Sequence, residues 1–174
     1  ATANDTKLKL NTTDAASSTN EWGDTDPTST VYSVHTGGDG ATNDGTDKIV
    51  SYVWTGIKGY SKFGIYQGNG NANGPIVYLG FRPAFVMVRD PGNAENWLMY
   101  DNKRPGFNLN NNHLFANTSA VETASSANTM DLLSNGFKVR STNNGLNRDG
   151  ATFTYYAFAE SPFVNSNKIP VNAR

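Results

Sequence analysis

The sequence predicts an all-β fold, a β-sandwich of the jelly-roll or concanavalin-like type with an extended N-terminal arm. Two observations support this prediction. Of 174 residues, 71 are Asn, Thr, Ser or Gly and only 17% are charged, so turn and strand formers outnumber helix formers. About nine or ten short runs of β-branched and aromatic residues are also separated by Asn- and Gly-rich turns, a spacing typical of sandwiches.

The composition excludes several classes of partner and site. A formal net charge of −1 and a pI near 6.1 argue against nucleic acid or an anionic membrane as the main partner. The absence of cysteine excludes disulfides, thiolate zinc sites and a cysteine nucleophile. No apolar run approaches about 18 residues, so we expect no membrane insertion.

Residues 1–27 are predicted to form the arm or linker, and residues 28–174 the β-sandwich module. The arm is polar and rich in turn residues, although Leu8 and Leu10 alternate with lysines and indicate one short strand. Its few apolar side chains cannot make a core of their own. We therefore expect the arm to be ordered only against another surface, provided by a neighbouring subunit.

The strands of the module are predicted from short apolar and alternating runs. Tyr60–Tyr66 shows the clearest alternation, and Ala151–Glu160 carries aromatic residues on both faces, which indicates a central strand. Pro83 lacks the N–H of a central ladder and predicts a junction or an edge. The remaining predicted strands are Thr30–Val34, Ile49–Thr55, Pro75–Phe81, Ala84–Asp90, Asn96–Asp101, His113–Ala116, Met130–Leu133 and a strand after the turn in Ser134–Phe137.

The alternation within these runs also predicts the buried core. The side chains expected inside are Phe63, Ile65, Val77, Leu79, Phe85, Met87, Phe137, Val139, Phe153 and Phe158.

Catalytic chemistry has little support in the sequence, and we expect no enzymatic activity. His35 and His113 lie in loop-like surroundings, and no G-x-S-x-G motif is present. A glycosidase would need two carboxylates near the same bond, and the strand-borne candidates are Asp90, Asp101 and Glu160. Turn formation explains Asp90, and a local ion pair with a nearby arginine explains Asp101.

Calcium is the one cofactor that the sequence suggests. The loop from residue 39 to 47 contains the hard oxygen ligands Asp39, Asn43, Asp44 and Asp47, which suit calcium. Their spacing departs from that of an EF-hand loop, because glycine comes one position late. Acidic residues and glycine are also common in any exposed loop.

A sugar-binding patch is predicted around Trp97, Tyr100, Asp101 and Arg104. Aromatic rings stack on pyranose faces, while carboxylates and other polar groups bond to the hydroxyls. The alternative interpretation places Trp97 in the core and makes Asp101 and Arg104 a structural pair.

Six ordered motifs resemble a family of phage- and prophage-encoded virion structural proteins of the tail-fibre type. The most distinctive is Y-S-K-F-G-x-Y-x-G-N-G, and the segment Trp22–Val34 also resembles the stretch that precedes this module in the family. The resemblance covers roughly Trp22 to Arg174. The motifs lie at Tyr60–Gly70, Gly74–Val88, Asn96–Arg104, Leu133–Arg140, Tyr156–Phe163 and Asn172–Arg174.

The resemblance implies a non-enzymatic protein on a virion surface, a tail-fibre, appendage or capsid-decoration module present in many copies. Its expected partners are copies of itself and other virion proteins. The alternative is a carbohydrate-binding receptor module that attaches the particle to a host surface glycan. A hydrolase that cuts this glycan is the third possibility.

Overall fold

A computed structural model describes residues 5–35, 42–43, 48–104, 108–162 and 165–167. Within these residues the chain is almost entirely strand and loop, which confirms the predicted all-β class. The elements are β1 Thr6–Lys7, β2 Ser17–Ser18, β3 Ser61–Gln67, β4 Ile76–Tyr78, β5 Pro83–Arg89, β6 Leu98–Asp101, β7 Asn112–Phe115, β8 Thr123–Ala124, β9 Met130–Leu133, β10 Gly136–Val139, α1 Asn144–Asn147 and β11 Thr152–Ala159.

The strands form an antiparallel sandwich. One sheet has six strands in the order β3-β11-β5-β6-β7-β8, and the other has three in the order β4-β10-β9. Strands β1 and β2 pair separately within the arm. The long strand β11 lies between β3 and β5, so the prediction that it is central is confirmed. Pro83 begins β5, where its missing N–H costs no internal ladder bond.

The core lies between the two sheets. Phe137 from the smaller sheet packs edge-on against Tyr66 and Tyr155 from the larger one, with ring centroids 6.0 and 5.6 Å apart. Tyr66 also stacks on Phe153 at 5.0 Å. These aromatic contacts join both sheets into one buried cluster with the aliphatic side chains around them.

Half of the predicted core positions lie in this cluster, and the other half lie on the opposite face of the larger sheet. The buried ones are Val77, Leu79, Phe137, Val139 and Phe153. The prediction was wrong for Phe63, Phe85, Met87 and Phe158, which are half-buried, and for Ile65, which is exposed. The side chains of β3 and β5 that do reach the core are Tyr66, Val86 and Val88. The larger sheet is apolar on both faces, so alternation alone does not identify the inner one.

Close approaches require glycine at two strand positions. A Cβ on Gly136 would lie 2.0 Å from the Val77 carbonyl oxygen, because β10 and β4 approach closely there. A Cβ on Gly64 would lie 2.8 Å from the Tyr155 hydroxyl, and the two residues face each other in the β3–β11 register. The Tyr155 ring thus covers the surface that Gly64 leaves bare.

Two predicted strands are absent. Residues Thr30–Val34 and Ile49–Thr55 have the composition of strands, but they lie outside every helix and strand of the structure. The short helix α1 lies between β10 and β11, and the Asn143 side chain caps it by accepting a hydrogen bond from the Gly145 amide at 2.8 Å. No helix among the described residues is long and apolar enough to cross a membrane.

Candidate functional site

The outer face of the six-stranded sheet is a broad apolar surface. Phe63 of β3 packs edge-on against Tyr156 and Phe158 of β11, with ring centroids 5.7 Å apart in both pairs. Phe85 of β5 extends the surface, at 6.3 Å from the Phe158 ring. A sheet face of this kind is stable in water only when another element covers it.

The N-terminal arm covers part of this face and is held there through its main chain. The Arg89 guanidinium donates hydrogen bonds to the carbonyl oxygens of Thr12, at 3.1 Å, and of Asp14. The Trp97 indole donates to the Lys9 carbonyl at 3.1 Å. The surface that orders the arm is therefore the sheet of its own chain.

Arg89 is a buried cation at the junction of arm and sheet. Its guanidinium lies over the Trp97 ring, 5.3 Å from the centroid, and also donates to the Asp90 carbonyl. Burial lowers the pKa of Arg89 from its ordinary value, while the nearby carboxylates of Asp90, Glu95 and Asp14 raise it. The side chain has no exposed surface, so the arm carbonyls provide the hydrogen bonds that water would otherwise make.

Asp90 belongs to the same junction. One of its carboxylate oxygens accepts two hydrogen bonds from Arg148, at 3.1 and 2.9 Å, and the other accepts the Gly92 amide at 2.8 Å. The turn role predicted for Asp90 is therefore present. The ion pair with Arg148 comes from a distant part of the chain and left no signal in the sequence.

The arm is also organised within itself. Strand β1 pairs with β2, the Lys7 ammonium forms an ion pair with the buried Glu21 carboxylate, and the Trp22 indole donates to the Thr6 carbonyl at 3.1 Å. These contacts turn residues 5–22 into a compact hairpin that presents apolar side chains to the sheet.

An apolar groove of about 1040 Å³ remains between the arm and the sheet. Among the described side chains that line it, Lys7 is the only charged one, and none is a carboxylate or an amide. Such a surface can bind apolar side chains, but it offers few of the polar groups that orient a sugar. The aromatic and large aliphatic lining residues are Leu8, Leu10, Trp22, Trp54, Phe63, Ile65, Phe85, Met87, Trp97, Tyr156 and Phe158.

The four residues predicted to bind sugar do not meet on one accessible surface. Trp97 is 3% exposed and lies beneath the arm, on the outer face of the sheet, with its ring 6.0 Å from that of Tyr156. Tyr100 is fully buried in the core on the opposite face. Only Asp101 and Arg104 lie side by side, and the alternative interpretation of Trp97 as a buried residue agrees with this placement.

Asp101 and Arg104 hold the loop that follows β6. One Asp101 oxygen accepts the amides of Lys103 and Arg104, and the other accepts the Arg104 side chain at 2.7 Å. Arg104 also bonds to Glu122, which in turn accepts the Asn112 amide group at 2.9 Å. Partial burial lowers the pKa of Arg104, but hydrogen bonds to Glu122 and Asp101 outweigh it and the pKa is raised. These contacts fix the loop after β6 to the segment that contains Glu122.

Of the calcium candidates, Asp39, Asp44 and Asp47 lie outside the described residues. Asn43 is described, and it is half-buried in a turn. The described part of the chain contains no cluster of three or more His, Asp or Glu side chains that would suit a metal.

The remaining catalytic candidates are engaged elsewhere. Glu160 forms an ion pair with Arg82 at 3.1 Å. His113 is buried between Tyr100 and Phe115, with ring centroids 5.8 and 4.9 Å away, and burial lowers its pKa. His35 lies beside the Asn20 side chain, at the arm. Within the described residues, His113 is not bonded to a serine or a carboxylate that would complete a hydrolytic site.

The protein is an antiparallel β-sandwich. An apolar groove lies between the outer face of its larger sheet and the N-terminal arm. The chain belongs to the family described as "Domain of unknown function (DUF7483)", whose profile matches residues 1–162. The matched range includes the arm as well as the sandwich. No curated protein and no solved structure matches the chain.

The sequence did not predict the apolar groove between the arm and the sheet. Leu8, Leu10 and Trp22 were the available signal, since apolar residues in an otherwise polar arm indicate a docking surface. The sheet face that the arm contacts was not recognised, because its side chains on β3, β5 and β11 were predicted to lie in the core.

Proposed function

We propose that the protein is a non-enzymatic structural component of a virion surface that acts by assembling in many copies. A tail-fibre, appendage or capsid-decoration module fits this role. The ordered motifs between Trp22 and Arg174 support the proposal through their resemblance to virion proteins. Copies of the chain and other virion proteins are the proposed partners.

One structural observation carries the assembly role. Large apolar side chains in residues 30–34 and 49–57 are exposed, among them Tyr52 at 77% and Val50 at 76%. Monomeric proteins rarely expose contiguous apolar patches of this kind, and such patches usually mark interfaces. A sequence that keeps β-branched and aromatic residues there without using them in its own core is typical of an assembling subunit.

The proposal is tested on purified particles from the virus or prophage that encodes the chain. Quantitative mass spectrometry should find the chain in many copies per particle. Cryo-electron microscopy should then assign density of this sandwich to the particle surface. Particles in which capsid and tail proteins are detected but this chain is absent would refute the virion assignment.

Host glycan binding is the second candidate, and one observation favours it. The exposed rings of Tyr52 and Trp54 are nearly parallel, with centroids 6.2 Å apart and an interplanar angle of 19°. Two such rings can stack against consecutive sugar faces. A glycan array distinguishes the candidates, because a receptor module should retain specific sugars and should lose them on Trp54→Ala.

We also propose that the protein does not cut the glycan. Asp101 is bonded to Arg104 and Glu160 is paired with Arg82, so neither is a free carboxylate at an open cleft. Incubation with host polysaccharide should release no new reducing ends. Depolymerisation that is abolished by Asp101→Asn or Glu160→Gln would establish an enzyme instead.

A further inference from the structure

The chain contains four asparagines that are followed directly by glycine, and the structure describes all four. They are Asn69, Asn73, Asn135 and Asn144. In such a pair the main-chain nitrogen of the glycine can attack the side-chain amide carbon of the asparagine, because glycine has no Cβ to hinder the approach. The attack requires the peptide unit between the two residues to rotate. Hydrogen bonds that hold this peptide unit therefore protect the pair.

The fold protects Asn69 through its contacts with the buried Asn147. The Asn69 side-chain oxygen accepts hydrogen bonds from the Asn147 side chain at 2.9 Å and from the Asn71 amide at 3.1 Å. The Gly70 amide, which contains the attacking nitrogen, donates to the Asn147 carbonyl at 2.9 Å. Both of the groups that would react are thus held by other residues.

The peptide units after Asn135 and Asn144 are also held. The Asn135 carbonyl accepts two main-chain amides, at 2.9 and 3.1 Å. The residue after it begins β10, and the pairing of β10 with β9 fixes the turn between these strands. In the other pair, the Gly145 amide donates to the Asn143 side chain at 2.8 Å, at the start of α1. Neither peptide unit can rotate without losing these contacts.

Asn73 lacks this protection. It is exposed, its side chain forms no hydrogen bond with a described residue, and neither does the Gly74 amide. One hydrogen bond holds the peptide unit between them, from the exposed Asn69 side chain to the Asn73 carbonyl at 3.2 Å. A single exposed bond of this length exchanges readily with bonds to water, so this peptide unit can rotate.

We propose that Asn73 is a site of spontaneous deamidation. The Gly74 nitrogen forms a bond to the Asn73 side-chain carbon, the bond from that carbon to its NH2 group breaks, and ammonia leaves with the proton of the attacking nitrogen. Water then opens the five-membered imide at either carbonyl, which gives aspartate or isoaspartate. One water is consumed, one ammonia is released and nothing is oxidised or reduced. The product adds one negative charge to a chain whose formal net charge is −1.

The reaction alters a loop that a buried side chain holds in place. The Asn69 amide donates to the Asn147 side-chain oxygen at 2.9 Å, and the Asn147 side chain donates to the Asn71 carbonyl at 2.8 Å. Isoaspartate lengthens the main chain by one carbon shortly after these anchored residues. This inference goes beyond the virion role and does not depend on it, because the reaction needs only the folded chain and water.

The test follows the four asparagines in the full natural chain at mildly alkaline pH. Mass spectrometry of tryptic peptides measures the replacement of NH2 by OH at each site, and electron-transfer fragmentation identifies isoaspartate. We expect Asn73 to convert at least about tenfold faster than each of the other three, because rotation at those sites first breaks the bonds that hold them. Asn73→Gln should abolish the fast reaction, since glutamine would have to close a larger ring.

Incubation of the same chain in urea is the matched control. Unfolding removes the protecting hydrogen bonds, so the four sites should then convert at similar rates. A preference for Asn73 that persists in urea overturns the inference, because the local sequence and not the fold would then select the site. A folded chain in which another of the four asparagines reacts as fast as Asn73, or in which none of them reacts, also overturns it.

Discussion

Two buried tyrosines illustrate how a single hydroxyl decides the effect of a substitution. The Tyr66 hydroxyl donates to the Leu146 carbonyl at 2.6 Å, whereas the buried Tyr100 hydroxyl has no hydrogen-bond partner among the described residues. Burial raises the pKa of both, so both remain neutral near pH 7. The Tyr66 hydroxyl therefore stabilises the fold, whereas burial of the unpaired Tyr100 hydroxyl lowers the free energy of unfolding.

We expect Tyr66→Phe to lower the free energy of unfolding by about 1–2 kcal/mol, because it removes a buried hydrogen bond and leaves a carbonyl unsatisfied. Tyr100→Phe is the matched control and should change it by less than about 0.5 kcal/mol or raise it. Urea unfolding followed by tryptophan fluorescence measures both. Equal losses in the two variants would show that the Tyr100 hydroxyl is satisfied by water.

His113 makes stability depend on pH. Burial lowers its pKa, although a hydrogen bond to the Asn111 carbonyl raises it in part. The unfolded chain takes up a proton near the ordinary histidine pKa of about 6.5, while the folded chain does so only at lower pH. The unfolded state therefore binds more protons in this window, and the free energy of unfolding falls as the pH drops from about 7 to the folded pKa.

Replacing His113 by Phe should remove this contribution and keep the ring packing with Phe115. We expect the loss of stability between about pH 7.5 and about pH 5.5 to become smaller, by at most about 1.4 kcal/mol per pH unit. Urea titrations at the two pH values measure the difference, and an unchanged slope in His113→Phe would contradict the argument.

At the scale of elements, the docking of the arm on the sheet depends on the planar guanidinium group of Arg89. Arg89 directs separate N–H groups to the carbonyls of Thr12, Asp14 and Asp90, a fan of donors that an ammonium group cannot reproduce. We expect Arg89→Lys to cost about 2–4 kcal/mol of unfolding free energy and to release the arm. Hydrogen exchange at the Ala16 amide, which bonds to the Pro91 carbonyl at 2.7 Å, should accelerate.

The control for this prediction is Arg140→Lys. Arg140 is 42% exposed and its ion pair with Asp131 spans 3.6 Å, so the change should cost less than about 0.5 kcal/mol. Exchange at Ala16 should stay at its natural rate in this variant. If both variants released the arm to the same extent, the loss of a guanidinium group in general, and not of the three hydrogen bonds made by Arg89, would explain the release.

The elements themselves were predictable where local pattern decides them. The strong alternation of Tyr60–Tyr66 and the aromatic run of Ala151–Glu160 located β3 and β11. Ile49–Thr55 has an equally strong composition but no neighbouring strand, and a strand forms only when its backbone groups are paired. The pairing partner is a tertiary property, which explains why composition alone overpredicted strands there.

The site was less predictable because it depends on which side of a sheet is covered. Trp97 and Tyr100 are close in sequence and aromatic, which suggested one patch. Trp97 directly precedes β6 and Tyr100 lies within it, and their odd separation along the extended chain places them on opposite faces, one under the arm and one in the core. The main-chain contacts that hold the arm, such as the one from Trp97 to Lys9, leave no pattern in the sequence.

The whole molecule is a sandwich with a third, incomplete layer. The three-stranded sheet packs on the inner face of the larger sheet, and the arm covers part of the outer face. Removing residues 1–27 should leave the core between the two sheets intact, because its aromatic contacts involve no arm residue. The deletion should expose the outer apolar face and leave the buried Arg89 without two of its acceptors.

We expect this truncated chain to keep its β-sheet circular dichroism, to lose about 2–5 kcal/mol of unfolding free energy and to bind the dye ANS. Addition of a peptide of residues 1–27 should displace the dye and restore stability, because the arm docks as a unit. A peptide with Leu8→Ser and Leu10→Ser is the control, since these apolar side chains line the groove, and it should restore less. A truncated chain with natural stability and no dye binding would show that the sandwich does not need the arm as a third layer.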